Sequence, residues 1–425
     1  MSTGETKQIM KKIAFHNLGC KVNSYETEAM TEQMRERGYE IVPFDSAADI
    51  YVVNTCTVTA VADKKSRQML HRAKRLNPDA LVVAVGCYVQ ANAEKVLEDP
   101  AVDLVIGNDR KGSLADLIEA GLSDVTDIGA SGEYESLSID SVTEHTRAFI
   151  KIQDGCDQFC TYCLIPYVRG RIRSRGEQEI VDEAVRLSEN GFSEIVLTGI
   201  HVSSYGTEDG SPWGPALLRL IRRLNDIPGI RRIRLSSLEP RIITKEFAEG
   251  LKSCDKICPH FHLSLQSGCD SVLKRMNRHY TAAEYAESCR ILREVFDHPA
   301  ICTDVITGFP GETEEEFAET VRFLEEISLY EMHIFPYSKR QGTKAAKLPG
   351  QLTQAVKAQR SRVLLDMTAR QAEEFRAYYE GRPCEVLLEE EEVTDGQTYL
   401  TGYTREYITR RIPAEGHKIG DIVYI

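Results

Sequence analysis

Strand-like and helix-like segments alternate along most of this chain, and the alternation limits the folds it can adopt. From Arg147 onward, six short apolar runs are each followed by an amphipathic stretch. Such a series predicts an α/β fold, and six units predict a partial (β/α)6 barrel of the TIM type, with its chemistry at the carboxyl ends of the strands. The predicted barrel strands span residues 148–153, 194–198, 232–236, 260–265, 302–306 and 333–337.

Two further segments flank the predicted barrel. The N-terminal segment has apolar runs at 12–18, 50–54, 81–86 and 103–106 with helical patterns between them, which predicts an α/β domain with a parallel sheet. The last stretch, about 45 residues, contains only short strands, which is typical of a small all-β barrel similar to oligonucleotide-binding (OB) barrels. We therefore predict domains at 10–128, 142–375 and 376–425, with a polar linker near 129–146.

The charge and the cysteine content restrict the possible functions. The formal net charge is -13, so the surface as a whole repels nucleic acids, and any RNA contact has to use local basic patches. No apolar run is long enough for a membrane span or a secretory signal, which predicts a cytoplasmic protein. Reducing compartments keep thiols free, so disulfides are not expected among the twelve cysteines, and metal or catalytic use is favoured.

Three cysteines follow the first predicted barrel strand: Cys156, Cys160 and Cys163. Three thiolates on one loop can bind three corners of a four-iron cluster and leave the fourth iron open to a small ligand. A structural zinc site needs a fourth ligand, and this loop contains no further Cys or His. The spacing therefore favours an iron–sulfur cluster over the alternatives, which are zinc or simple buried thiols.

A second set of three cysteines is dispersed along the N-terminal domain. Cys20, Cys56 and Cys87 each follow a predicted strand directly. Because the carboxyl ends of parallel strands meet at one edge of a sheet, these residues are expected to converge. Three ligands again indicate a cluster with an open iron, and ordinary buried thiols are the alternative.

These motifs resemble those of a known family. The loop C-D-Q-F-C-T-Y-C resembles the signature of radical S-adenosylmethionine (SAM) enzymes, and L-G-C-K-V-N, N-T-C-T-V-T and V-G-C-Y-V-Q resemble the N-terminal domain of the methylthiotransferases. That family adds a radical SAM barrel and a C-terminal TRAM domain that binds RNA, and the resemblance covers nearly the whole chain. It implies two [4Fe-4S] clusters, one on each cysteine set, and SAM bound to the open iron of the barrel cluster.

The resemblance also implies a reaction. Two SAM molecules are used per turnover: one methylates a sulfur at the N-terminal cluster, and the other gives a 5'-deoxyadenosyl radical. The methylthio group is then transferred to C2 of an adenine, whose C–H bond no acid or base breaks readily. L-G-C-K-V-N-S-Y-E-T-E is most similar to the branch acting on N6-threonylcarbamoyladenosine at position 37 of tRNA. The implied partners are the tRNA anticodon stem-loop, an electron donor such as flavodoxin or ferredoxin, and a sulfur donor, with no membrane.

Other substrates and functions remain open at this stage. The same scaffold acts on isopentenyladenosine-37 in one branch and on a ribosomal-protein aspartate in another. These branches usually carry Gln-Met or Pro-Lys after the first cysteine, and Lys21 and Val22 match neither pair. A non-catalytic iron–sulfur sensor that binds RNA is an alternative of another class.

Polar and glycine residues at the ends of the predicted strands are candidates for SAM binding. T-G-F-P-G-E at 307–312 follows the fifth strand, and glycines there let the backbone approach a ligand closely. The resemblance implies that this turn lines the adenine and ribose of SAM. The predicted SAM-binding residues are Thr198, Gly199, Glu239, Ser264, Gln266, Gly308, Pro310 and Gly311.

Arginine and aromatic residues suggest contacts with RNA. In R-G-R-I-R-S-R the arginines alternate, so an extended chain would place four guanidinium groups on one face as a phosphate track. A solvated charge run is the alternative. The C-terminal segment mixes tyrosines and arginines, which stack on bases and bind phosphates. The predicted RNA-binding residues are Arg169, Arg171, Arg173, Arg175, Tyr403 and Arg405.

Overall fold

The computed structural model describes residues 10–129, 132–140 and 146–425. They divide into two units, of which the first contains the chain up to Ile139 together with Leu164–Arg171. The second contains Asp140–Cys163 and Ile172–Ile425. The predicted linker at 129–146 lies partly outside the described residues.

The first unit is built on a five-stranded parallel sheet in the order β2-β1-β3-β4-β5. Every residue of β3 is buried, as expected for a central strand with helices on both faces. One apolar core lies on each face of the sheet. The first includes Tyr51 and Val53, and the second includes Val52 and Val83. The strands are β1 (Lys12–Asn17), β2 (Glu40–Ile41), β3 (Ile50–Thr55), β4 (Leu81–Gly86) and β5 (Leu104–Ile106).

Five α-helices pack with this sheet in the part of the unit that the structure describes. The predicted α/β pattern is confirmed, and the helix after Cys56 begins where the Thr59 side chain accepts a hydrogen bond from the Ala62 N–H. The helices are α1 (Lys21–Glu36), α2 (Ala60–Leu76), α3 (Cys87–Leu97), α4 (Leu114–Ala120) and the short α5 (Ile165–Val168).

The second unit contains the predicted partial barrel. One sheet has the order β7-β6-β8-β9, in which only β7 is antiparallel, and a second parallel sheet has the order β10-β11-β12. Isolated bridges such as Leu238 to Leu263 connect the two sheets. The strands are β6 (Ala148–Asp154), β7 (Arg173–Ser174), β8 (Glu194–Gly199), β9 (Arg232–Leu235), β10 (His260–His262), β11 (Ala300–Thr307) and β12 (Glu331–Pro336).

Seven further helices belong to the described part of this unit. Capping boxes formed by Thr281 with Glu284 and by Thr313 with Glu316 fix the starts of two of them. No helix within the described ranges is both long and apolar enough to cross a membrane. The helices are α6 (Glu177–Glu189), α7 (Pro215–Asn225), α8 (Lys245–Lys252), α9 (Asp270–Arg275), α10 (Ala282–Val295), α11 (Glu314–Ile327) and α12 (Gln354–Tyr378).

The fourth barrel strand is shorter than the sequence predicts. β10 ends at His262, whereas the apolar pattern continues to residue 265. The Leu265 N–H donates to the hydroxyl of Thr303, and Gln266 adopts a φ of 73°. A side chain has therefore replaced a strand carbonyl as acceptor, and the regular ladder stops.

The C-terminal strands form a curled antiparallel sheet in the order β15-β14-β13-β16. Val386, Leu388 and Leu400 form its small core. The predicted all-β fold is confirmed, and its third strand begins only at Thr409 because Tyr407 lies in a turn with a φ of 70°. The separate domain boundary at 376 stays a prediction. The strands are β13 (Glu385–Thr394), β14 (Gln397–Thr404), β15 (Thr409–Pro413) and β16 (Ile422–Tyr424).

Candidate metal centres

The three dispersed cysteines lie at the carboxyl edge of the first unit's sheet. Cys20 precedes α1, Cys56 follows β3, and Cys87 is the first residue of α3. Gly19 between β1 and Cys20 has a φ of +114°, and a Cβ there would lie 3.0 Å from the Cβ and the Sγ of Cys56. A glycine is therefore required for these two loops to meet.

The thiols of this set interact electrostatically. Burial, together with the nearby thiols of Cys87 and Cys20, raises the pKa of Cys56 to about 11. Cys20 is exposed on one side, but the protein around it still desolvates the thiol and raises its pKa, which Arg169 opposes. Three thiols close together at one sheet edge fit an iron–sulfur cluster, because iron displaces thiol protons when it binds. Their role as ligands stays a prediction.

A buried cation lies next to these thiols. The guanidinium of Arg169 donates to Glu26 through Nη1 (2.8 Å) and Nη2 (3.0 Å), and to the side-chain oxygen of Asn23 (2.7 Å). Lys111 forms a second ion pair with Glu26, and all three charged side chains are fully buried. Two cations and one carboxylate leave a net positive charge near a site that would hold an anionic cluster.

The prediction that Arg169 belongs to a phosphate track is therefore wrong. Arg169 follows α5 instead of lying in an extended segment, and it is 0% exposed. In the second unit, Arg173 and Arg175 are also buried, and Arg175 pairs with Glu183. Only Arg171 of the four is exposed, so these residues do not form one basic face.

The second cysteine set lies on the loop after β6, which neighbouring segments hold in place. The Asn277 side chain donates to the carbonyls of Gln158 (3.1 Å) and Phe159 (3.2 Å). Phe159 has a positive φ of 47°, and the N–H of Thr161 donates to the carbonyl of Met276 at 2.9 Å. The loop is thus fixed in an unusual conformation by the segment at Met276 and Asn277.

The thiols of this loop are half-buried. Burial raises the pKa of Cys156 to about 12, and the neighbouring Cys160 thiol contributes to the rise. Three such thiols without a fourth Cys or His on the loop fit three corners of a cluster. This ligand assignment also stays a prediction.

Arg278, which sequence reasoning missed, connects this loop to the barrel strands. Its guanidinium donates to the Sγ of Cys160 (3.3 Å), the carbonyl of Ser264 (3.3 Å) and the hydroxyl of Tyr280 (2.9 Å). Burial opposes its charge, but these neighbours and Glu239 hold the pKa well above its usual value. The only signal in the sequence was an arginine in the short connection between α9 and α10.

Glu239 carries a negative charge in the same region. Burial alone would raise its pKa, but hydrogen bonds from His201 and Arg241 and the charge of Arg278 hold it at about 2. A buried carboxylate and a buried guanidinium beside the cysteine loop are suited to a zwitterionic ligand. The amino acid portion of SAM is such a ligand, so Glu239 remains a predicted SAM-binding residue.

The other predicted SAM residues lie at strand ends of this unit. Thr198 accepts a hydrogen bond from Ser236 (3.1 Å), and a Cβ on Gly199 would lie 3.0 Å from the Gln153 carbonyl oxygen. Gly308 and Gly311 have φ values of 69° and 75°, with Pro310 between them in the turn after β11. Ser264 offers its carbonyl to Arg278, and Gln266 follows with its positive φ.

Tyr403 and Arg405 have structural partners within the second unit. The guanidinium of Arg405 donates to the carbonyls of Asp255 and Ile257. The ring of Tyr403 stacks on Tyr407 at 4.4 Å between centroids, and the guanidinium of Arg147 lies 5.4 Å from its centroid. These contacts attach the C-terminal sheet to the barrel, so an RNA-binding role for the two residues stays a prediction.

Replacing Arg278 should weaken both cluster retention and SAM binding. Arg278→Met removes the buried positive charge beside the cysteine loop. A charge-assisted hydrogen bond to the SAM carboxylate is worth about 1.5–3 kcal/mol, so we expect SAM affinity to fall about tenfold or more. Equilibrium dialysis with reconstituted protein measures this. Arg290→Met, which removes an exposed arginine paired with Glu287 and Glu294, is the matched control and should change little. Equal SAM affinities of the two variants would contradict the role of Arg278 in SAM binding.

Comparison with known proteins agrees with this architecture. The model of the "Radical SAM superfamily" matches residues 150–324, and that of "Uncharacterized protein family UPF0004" matches 12–107. A radical SAM methyltransferase, TsrM from Kitasatospora setae, has a similar fold with a TM-score of 0.54 at 15% identity, covering 77% of this chain and 75% of that one. Together with the cysteine loop at the barrel mouth, these findings define a radical SAM protein.

Two curated relatives make the assignment specific. Threonylcarbamoyladenosine tRNA methylthiotransferase MtaB of Bacillus subtilis is 42% identical, over 98% of this chain and 93% of its own length. A tRNA-2-methylthio-N(6)-dimethylallyladenosine synthase of Desulfosudis oleivorans is 36% identical, over 94% of this chain and 88% of its own. The chain belongs to the tRNA methylthiotransferase family that includes both enzymes.

Proposed function

We propose that this protein is a tRNA methylthiotransferase that converts N6-threonylcarbamoyladenosine at position 37 to its 2-methylthio derivative. The observation that carries the proposal is the meeting of Cys20, Cys56 and Cys87 at one sheet edge, in addition to the cysteine loop of the barrel. A radical SAM enzyme that only generates a radical needs one cluster. A second set of thiols provides a place from which sulfur is delivered.

The residues of the chain have separate tasks in this reaction. Cys156, Cys160 and Cys163 would hold the barrel cluster, and Cys20, Cys56 and Cys87 would hold the other. When bound, these groups and SAM supply the radical that removes hydrogen from C2 of the adenine and the methylthio group that replaces it. Arg278 and Glu239 orient the charged ends of SAM, and Arg169 places a buried positive charge beside the second cluster.

The RNA partner requires a surface other than the arginine segment at 169–175. On α2, Lys64, Lys65, Arg67 and Arg75 are exposed, and the neighbouring Val61 is 63% exposed. A basic helix face with an exposed apolar residue is suited to contact the phosphates and a splayed base of an anticodon stem-loop. We assign the tRNA contact of the first unit to this helix. We also propose that the enzyme is cytosolic, receives electrons from flavodoxin or ferredoxin, and receives sulfur from a sulfur donor.

The decisive experiment measures the product directly. Anaerobically reconstituted protein is incubated with SAM, a reductant and stem-loop RNA carrying N6-threonylcarbamoyladenosine, and the nucleosides are analysed by mass spectrometry. We expect the 2-methylthio nucleoside to form. The dimethylallyl substrate is a second candidate because of the Desulfosudis relative, so a parallel RNA carries that base. Product from the dimethylallyl RNA alone would refute the proposed substrate.

A further inference from the structure

Three polar side chains face one another on the second parallel sheet of the barrel. His262 lies on β10, Asp304 on β11 and His333 on β12, and one nitrogen or oxygen atom of each lies within 4.8 Å of the others. Nε2 of His262 is 3.2 Å from Oδ1 of Asp304, and the two imidazole rings stack with their centroids 5.7 Å apart. None of the three was singled out by the cysteine and arginine motifs. We call this set the lumen triad.

The lumen triad lies on the inner face of the barrel. Successive side chains of a strand point to opposite faces, and Phe261, next to His262, packs against Phe296 at the end of α10. The helices therefore cover the other face of this sheet. Two residues before His262 on the same face, the ring of His260 lies 5.1 Å from that of Tyr407. The C-terminal sheet region thus contacts the barrel strand two residues before the triad.

Along the barrel strands, the lumen triad also lies near the reaction site. Ser264 lies two residues beyond His262, and its carbonyl accepts from Arg278, which in turn contacts the Sγ of Cys160. At about 3.3 Å per residue, the triad is roughly 7 Å further into the barrel than Ser264. When an adenine is bound at the barrel mouth with C2 toward the cysteine loop, its N6 substituent can extend into the barrel as far as the lumen triad.

The proposed substrate needs polar partners at that place. A threonylcarbamoyl group carries a carboxylate, a hydroxyl and urea N–H groups, and each loses water when it enters the barrel. The side chain of His262 is 14% exposed, and its Nδ1 makes no hydrogen bond with any described residue, while His333 is open to solvent. An apolar dimethylallyl group would offer no hydrogen-bond partner to these three side chains.

We propose that His262, Asp304 and His333 bind the threonylcarbamoyl group and thereby select the substrate, an inference that rests on the proposed function. The two imidazoles receive the carboxylate and the hydroxyl, and Asp304 orients the ring of His262 while accepting a urea N–H. The same residue types form two-histidine, one-carboxylate metal sites, so a bound divalent cation is the competing outcome.

The test compares binding of two RNAs to the reconstituted enzyme. One stem-loop carries N6-threonylcarbamoyladenosine, and the other carries N6-methylcarbamoyladenosine, which keeps the urea but lacks the carboxylate and the hydroxyl. Fluorescence anisotropy gives both dissociation constants. We expect the wild-type enzyme to prefer the first RNA by about tenfold or more. In His333→Leu and in Asp304→Asn this preference should fall to within about twofold, a double difference that isolates the interaction.

Controls keep the result interpretable. His417→Leu removes an exposed histidine of the C-terminal sheet region and should keep the wild-type preference. Iron content and melting temperature report whether each variant folds, and His333 is exposed, so its replacement leaves the core intact. A wild-type preference retained in both triad variants would overturn the inference. So would one zinc or manganese ion per wild-type chain that the variants lose.

The two proposals fail separately. If the wild-type enzyme yields no methylthio product from the threonylcarbamoyl RNA, the proposed function is refuted. If that product forms and the binding preference survives in the variants, only the assignment of the lumen triad is refuted.

Discussion

Substituting one cysteine in either set should halve the iron content, but the two substitutions should abolish different steps of the reaction. We expect reconstituted wild-type protein to bind about eight irons per chain and Cys87→Ala to bind about four, with reductive cleavage of SAM continuing but no methylthio product. Cys156→Ala should also retain about four irons, yet it should cleave no SAM, because the loop after β6 would have lost one of its three ligands. Iron analysis and chromatography of 5'-deoxyadenosine measure both effects.

The chain offers a matched control for this pair. Cys384 is a half-buried thiol in the C-terminal sheet region, and Cys384→Ala should keep all the iron and the full activity. About four irons in the wild-type protein, unchanged by Cys87→Ala, would mean that the first unit holds no cluster. The proposed sulfur transfer would then have no source within this chain.

Most of the fold was predictable because local patterns determine it. Apolar runs with turn residues between them predicted the barrel strands, and the capping residues Thr281 and Thr313 fix the starts of two of the helices that follow these strands. The meeting of Cys20, Cys56 and Cys87 was predictable for a topological reason, since each follows a parallel strand. Element ends were less predictable, as at Leu265, where the Thr303 hydroxyl replaces a strand carbonyl.

The charged contacts were not predictable, because their partners are distant in sequence. Arg169 pairs with Glu26, 143 positions away, and nothing near either residue marks the pair. Arg405 donates to the carbonyl of Asp255, 150 positions away, so an apparent RNA contact has a partner in the protein. The lumen triad was not predictable either, because its three side chains come together only through the register of three strands. Patterns in a sequence give elements and loops, whereas buried polar contacts require the assembled fold.

The buried Glu26 is expected to be the most costly single charge to remove from the first unit. Glu26→Gln would remove the carboxylate that pairs with the fully buried guanidinium of Arg169 and ammonium of Lys111. Breaking a buried ion pair in this way costs about 3–5 kcal/mol of the free energy of unfolding. Urea denaturation of the cluster-free chain measures this loss. Glu287→Gln breaks an exposed pair with Arg290 and should cost less than about 1 kcal/mol, so equal losses would contradict the assigned role of Glu26.

Replacing the cation of this pair instead of the carboxylate separates the effect on stability from the effect of the charge on the cluster. Arg169→Met leaves Glu26 paired with Lys111, so the free energy of unfolding should fall less than in Glu26→Gln. It also removes the cation that acts on the thiol of Cys20. Because a positive charge favours the reduced form of a cluster, its loss should lower the reduction potential on the order of 50 mV, which a redox titration followed by electron paramagnetic resonance measures. An unchanged potential would show that Arg169 only holds α1 and the segment after α5 together.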